Sequence, residues 1–197
     1  MADLILSGST SGAVTLSAPA VAGSTTLTLP TTSGTVLTTG SMGVVLQVQT
    51  VYLTSTSQLT SGGGLHELTT SLRIAFTPVS ASSVLYLQVF GSFMFPNSAH
   101  LQYGAFYDVT NSVYVNQPPA AGSRQRVHWI NRTRPFDTND ANSMCFNISV
   151  INTSTTPRTY TVHHGTEGAS AEFLVSTLSS GSGVVCPLVF TITEVKT

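Results

Sequence analysis

Residues 77–95 read TPVSASSVLYLQVFGSFMF, and this stretch decides the fold class. In an extended chain Leu85, Leu87, Val89, Phe93 and Phe95 fall on one face, and Tyr86, Phe90 and Met94 fall on the other. Only Gln88 and Ser92 interrupt the two rows with polar side chains. A strand that is apolar on both faces must be covered on both. In a small antiparallel sandwich one face of each sheet normally meets water, so the second row, Tyr86, Phe90 and Met94, is read as a subunit interface.

Working outward, the same period-2 pattern recurs. GVVLQVQTVYLTSTSQLTS, from Gly43, reads as a long strand with Val45, Gln47, Gln49 and Val51 on one face and Val44, Leu46, Val48 and Tyr52 on the other. Gly62 to Gly64 form a turn; a phosphate loop would need a following Lys-Ser/Thr and a helix, and LHELTTSLRIAFTP follows instead, where LHELTTSLRIAF suits a short helix but Ile74, Phe76 and the Thr pair favour a strand. LQYGAFYDVTNSVYV alternates and breaks at Asp108 to Ser112, a hairpin composition, and NQPPAAGS is a loop. CFNISVIN, RTYTVHHG, AEFLVSTL and VVCPLVFTITEV add strands, with Pro187 at the start or a bulge of the last. No amphipathic helix of four turns is present. The expected fold is therefore all-β, an antiparallel sandwich or jelly roll over residues 43–197.

The chain has 197 residues, room for one ordinary domain plus an arm. Charged residues make up only 8%, against about 25% in a typical soluble domain, and mean hydropathy is +0.24. The surface must then be covered with Ser, Thr, Asn and Gln or hidden against neighbours. A net charge of −1 argues against nucleic acid as the main partner, since phosphate binding needs a cationic surplus. No stretch approaches the ~18 apolar residues of a membrane-spanning helix, so no membrane insertion is expected. MADLILSG lacks a basic leader segment, and a chain made in the cytoplasm would keep its two cysteines, Cys145 and Cys186, reduced, as two small buried hydrophobes. Asn131, Asn147 and Asn152 begin N-x-Ser/Thr triplets that carry weight only in a secreted eukaryotic chain.

Residues 1–42 form a separate arm. Val14 and Leu16, Leu27 and Leu29, Val36 and Leu37 are too few and scattered to offset the entropy of ordering so many Gly, Ser and Thr residues. Yet AVTL and TLTL are β-prone, so the arm is expected to gain its order from other chains, either identical copies or a larger assembly.

The segment TLTLPTTSGTVLTT resembles the LPxxxGTxLxT-type stretch near the start of many fibre and other virion proteins of tailed bacteriophages, a resemblance covering about a fifth of the chain. LRIAFTPVSASSVLYLQV, then AGSRQRVHW, then the closing PLVFTITEVKT resemble three patches of the C-terminal heads of phage fibre proteins. There, TP-x-S-x-S-S-K-I, GSR-x-R and I-T-x-x-E strands recur. Val84 stands here in place of the basic residue, and FMFPNSAHLQYGAF departs from the pattern. The resemblance implies a homotrimeric jelly-roll head, similar to the tumour-necrosis-factor class of trimeric sandwiches, and an arm that attaches to other virion proteins. On this basis the expected function is a trimeric tail fibre located in the virion, its head binding the host cell surface. A capsid decoration or head-fibre protein is the alternative, and a polysaccharide-degrading enzyme a distant one.

For partner binding, RQRVHWINRTR read as one extended strand puts Val127 and Trp129 on one side and Arg124, Arg126, His128, Arg132 and Arg134 on the other. That stripe is the candidate site for anionic groups of a host glycan; as an ordinary alternative it is a solvated or interface face paired with Asp137, Asp140 or Glu172. Tyr103, Phe106, Tyr107, Tyr114 and Trp129 could present rings to sugars, but most are read as core. Catalysis is not expected: the sparse carboxylates show no paired spacing. Nor is any cofactor or metal: His163 and His164, adjacent on a strand, point to opposite faces, and Asp137, Asn139 and Asp140 lack a full calcium ligand series.

Overall fold

The computed structural model describes residues 4–17, 21, 43–53, 57–59, 64–94, 101–132, 141–166, 171–173 and 188–197, with backbone alone at 57–59, 92–94, 132, 141–143 and 171–173. The chain divides into two compact units, Met1–Val36 and Leu37–Thr197. The boundary expected near Met42 lies outside the described residues, as does most of the LPxxxGTxLxT-type segment.

The first unit contains strands β1 (Leu4–Ser7) and β2 (Ala13–Leu16), paired antiparallel with Leu4 opposite Leu16 and Leu6 opposite Val14. Two glycines make the turn. Gly8 N donates to Gly12 O at 2.9 Å, a Cβ on Gly8 would collide with the Ser11 carbonyl, and Gly12 has φ of +79°. Leu4, Leu6, Val14 and Leu16 share one face and are each at least half exposed, so this hairpin has no core of its own. Two-stranded sheets are at best marginal in water.

In the second unit the strands are β3 (Val45–Leu53), β4 (Ser57–Leu59), β5 (His66–Glu67), β6 (Ile74–Phe76), β7 (Ser83–Met94), β8 (Leu101–Asp108), β9 (Val113–Tyr114), β10 (Trp129–Arg132), β11 (Ala141–Asn152), β12 (Arg158–Thr166), β13 (Ala171–Phe173) and β14 (Leu188–Lys196). They form two antiparallel sheets. One runs β3-β14-β7-β11, with β13 and β4 continuing it beyond Met94; the other runs β10-β8-β12-β5, with β9 on β8 and β6 on β12. Their inner faces meet in one core, where Phe106 of the second sheet packs at 4.7 Å from Phe146 and 5.6 Å from Phe190 of the first. The all-β antiparallel sandwich expected from the sequence is thus present. Each large apolar side chain fully buried in this core contributes about 1.5–3 kcal/mol.

In the stretch that decided the fold, the described side chains alternate as read, while those of Phe93 and Met94 and all of Phe95 lie outside the described residues. Leu85, Leu87 and Val89 are inside, while Tyr86 and Phe90 point to the other side of the sheet. Three expectations need correction. LHELTTSLRIAF is not one strand: β5 gives way to a single 3-10 turn, Thr70–Leu72, capped by Thr69, because Leu68 and Leu72 both anchor in the core, and β6 follows. In β3 a register shift opposite Glu194 and Val195 sets Val45 against Val195 and leaves it 54% exposed, off the face of Gln47, Gln49 and Val51. Cys145, expected buried, is exposed opposite Phe90; Cys186 lies outside the described residues.

The turn after β6 is tied to the last strand by a buried carboxylate. Glu194 accepts from Gln47 Nε2 (2.8 Å), Val79 N (2.8 Å), Ser80 N (2.9 Å) and Ser83 Oγ (2.8 Å). Burial pushes its pKa up, and these four donors outweigh that and hold it below the usual carboxylate range. Two of the three patches that carry the head resemblance, TPVSASS and ITEV, meet at this point.

Candidate functional site

The outer face of the first sheet is set by pairing across four strands. Reading across β3, β14, β7 and β11, successive rows are Tyr52-Val189-Phe90-Cys145, Thr50-Thr191-Gln88-Asn147, Val48-Thr193-Tyr86-Ser149 and Val45-Val195-Val84-Ile151. None of these residues is charged. Two of the polar members bond each other within the face, Thr50 Oγ1 and Thr191 Oγ1 lying 3.0 Å apart. The apolar ones stand open: Phe90 is 55% exposed, Tyr86 41% and Ile151 81%. Of the expected interface residues, Tyr86 and Phe90 therefore share this face; the side chain of Met94 lies outside the described residues. A shallow hollow between Phe90, Cys145 and Val189 marks the middle of the first row.

Charge is gathered elsewhere. On the second sheet Arg73 donates from Nε and Nη2 to the two Glu67 oxygens, both at 2.7 Å, and this pair lowers the pKa of Glu67. Beside it His163 stacks on Tyr107 at 4.2 Å and lies 3.1 Å from Tyr114 Oη through Nδ1. Burial drops the His163 pKa to about 4, so the ring is neutral near pH 7. Sequence reasoning did not assemble this group, because β5, β9 and β12 are brought together only by the sheet. Arg158 and Asp108 lie 3.9 Å apart on the same sheet, and Lys196 Nζ binds Ser80 and Ser82 hydroxyls. His164 faces the opposite way from His163, into the sandwich, where burial drops its pKa to about 3. Among the described residues no three His, Cys, Asp or Glu side chains come close enough to hold a metal ion. No helix among them is long and apolar enough to cross a membrane.

The arginine stripe is not laid out as one strand. Residues 115–128 are irregular, with Asn116 at φ of +43° and Gly122 at +64°, and pairing with β8 starts only at Trp129. Arg124 and Arg126 are exposed in this loop, where Arg126 Nε donates to Pro118 O at 2.6 Å. His128 turns inward instead of sharing their side: its Nδ1 accepts from Phe106 N at 3.0 Å, and burial lowers its pKa. The side chain of Arg132 and all of Arg134, Asp137 and Asp140 lie outside the described residues. Of the aromatics considered for sugars, Phe106 and Tyr103 are buried, Trp129 packs on Phe146, and Tyr107 and Tyr114 are half-buried beside His163.

No protein-family model and no curated protein matches this chain. Solved structures similar to it include the infectious bursal disease virus Gt strain (14% identity, TM-score 0.43, 98% of this chain and 46% of that one) and the T13 particle of the same virus (14% identity, TM-score 0.42, 93% and 45%). The VP2 subviral particle of that virus aligns at 14% identity and TM-score 0.36, over 76% of this chain and 40% of that one. The chain thus spans less than half the length of the solved chains it matches. Superpositions this loose assign neither family nor function.

Proposed function

We propose that the protein is a non-enzymatic structural component of a tailed-phage virion. In this reading it is a homotrimeric tail fibre whose residues 1–42 attach to other virion proteins and whose sandwich head meets the host surface. The observation that carries this is the uncharged outer face of the first sheet, with Tyr86 and Phe90 open in the single chain. A monomer exposing it in a cell would be prone to association, whereas a subunit that buries it against copies of itself needs no charge there. The apolar, coreless β1–β2 hairpin supports a separate attachment role for the arm. The phage assignment itself rests on the sequence resemblance. Two measurements test the reading. Light scattering of the full chain should give three times the chain mass, and a stable soluble monomer rejects the trimer. Antibody labelling of particles should mark the tail; labelling of the shell assigns a capsid decoration role instead.

A further inference from the structure

We infer that the head trimer closes by edge-to-edge strand pairing, β11 of each copy adding to β3 of the next. The inference rests on the trimer reading above and specifies how the copies join. The run β3-β14-β7-β11 ends in two edges to which no further strand is paired among the described residues. β11 pairs with β7 over twelve consecutive residues without a register shift, and its sequence ANSMCFNISVIN has no charge and no proline. Edges that face water are normally blunted by lysine, proline or a bulge, and β11 has none of these. β3, VLQVQTVYL, is free of charge and proline, and its one register shift is confined to the Val45–Gln47 end, leaving Val48 to Leu53 regular.

The direction of the open backbone groups follows from one contact. Ser149 O accepts from Asn116 Nδ2 at 3.1 Å, so it points away from β7. By alternation the N–H and C=O groups of Cys145, Asn147 and Ile151 point outward with it, and those of Phe146 and Ile148 point into the ladder. Among the described residues no backbone group bonds the outward set, and the Asn116 side chain at Ser149 O leaves the Cys145–Asn147 part of the edge for pairing. Because neighbouring strands alternate in direction, β3 and β11, first and last of four, run oppositely. Copies rotated about an axis along the strands therefore present β11 antiparallel to the next β3, and head-to-tail pairing uses both edges. Pairing of β11 with itself across a two-fold would leave both β3 edges open. Three copies give a ring of twelve strands, which at ~4.8 Å spacing has a radius of roughly 9–12 Å. The uncharged face turns inward, since the second sheet covers the other side, and side chains the size of Tyr86 and Phe90 fill much of that interior.

Residue-resolved hydrogen exchange on the assembled full chain tests this. The outward amides of Asn147 and Ser149, and those of β3, should exchange at least tenfold more slowly than open edge amides, matching Phe146 and Ile148. Asn147→Pro, which removes an outward N–H that β7 does not use, should abolish trimers while leaving the β circular dichroism intact. A trimer with fast exchange at both edges overturns edge pairing but keeps the trimer. Protection of β11 without β3 means self-pairing of β11 and also overturns it, as does an N147P chain that still forms trimers. A chain monomeric at every concentration removes the trimer reading and this inference together.

Discussion

Glu194 and His164 are both buried ionisable residues, yet they set different pH limits. The Glu194 carboxylate is held below its ordinary pKa by four donors, so its stabilisation is complete above the unfolded-state pKa and is lost as pH falls through the lower folded one. Glu194→Gln leaves two backbone N–H groups facing an amide, and should cost about 1.5–3 kcal/mol in urea unfolding at pH 7. At pH 3 the difference from wild type should shrink, and an undiminished gap there would rule out the charge as its source. His164 loses stability earlier. With its folded pKa pushed to about 3, the unfolded chain takes up the proton first, so stability falls as pH drops from about 6.5. At pH 5 the loss from His164 is on the order of 2 kcal/mol, and His164→Gln should make that part of the pH profile less steep, the remaining slope coming from His163, which burial also holds low. A profile unchanged in this variant would place the slope in other groups.

At the level of the element, β7 was legible and the arginine stripe was not, for one physical reason. Alternation reports facing only where a strand has a partner to hold it extended. β7 has β14 and β11 on its two edges, so its rows of Leu85, Leu87, Val89 and of Tyr86, Phe90 came out as read. Residues 124–127 alternate equally well but pair with no strand, the first bond to β8 being His128 N to Gly104 O, and two prolines and the left-handed residues Asn116 and Gly122 shape the loop instead. His128 could then turn in to take the Phe106 N–H. The clasp at Glu194 joins residues more than a hundred positions apart, and neither propensity nor spacing encodes such a meeting. For the outer face the test is Phe90→Asp. Phe90 is half open in the single chain, so the variant should keep its fold, but a carboxylate buried without a partner at an interface costs several kcal/mol. If the wild type assembles as proposed, the variant should run as a folded monomer under the same conditions; a trimeric F90D would move the interface elsewhere.

For the whole molecule, arm and head are expected to be separable. Every buried residue of the main core lies at or after Leu53, and the β1–β2 hairpin adds none to it. A chain beginning at Gly43 should unfold at the same temperature as the full-length protein and still trimerise, yet fail to join particles when it complements a phage lacking the gene. Normal incorporation would reject the arm as the attachment element. The two-unit division and the sandwich were accessible from composition and periodicity, whereas the uncharged character of one whole face needed the register of four strands.

That face has a consequence for how the protein meets salt. From Leu4 to His66 the sequence contains no Asp, Glu, Lys or Arg, and the described charges of the head all lie off the outer face of its first sheet. Sodium chloride acts on association mainly by shielding ionic pairs, and among the described residues of this face there are none to shield. Sulfate and phosphate act differently, since their exclusion from protein surface favours any state that hides area from water. The proposed trimer should therefore respond to which ion is added and hardly to how much ionic strength it brings: sodium sulfate should tighten it, and the same ionic strength of sodium chloride should leave its dissociation constant within about twofold.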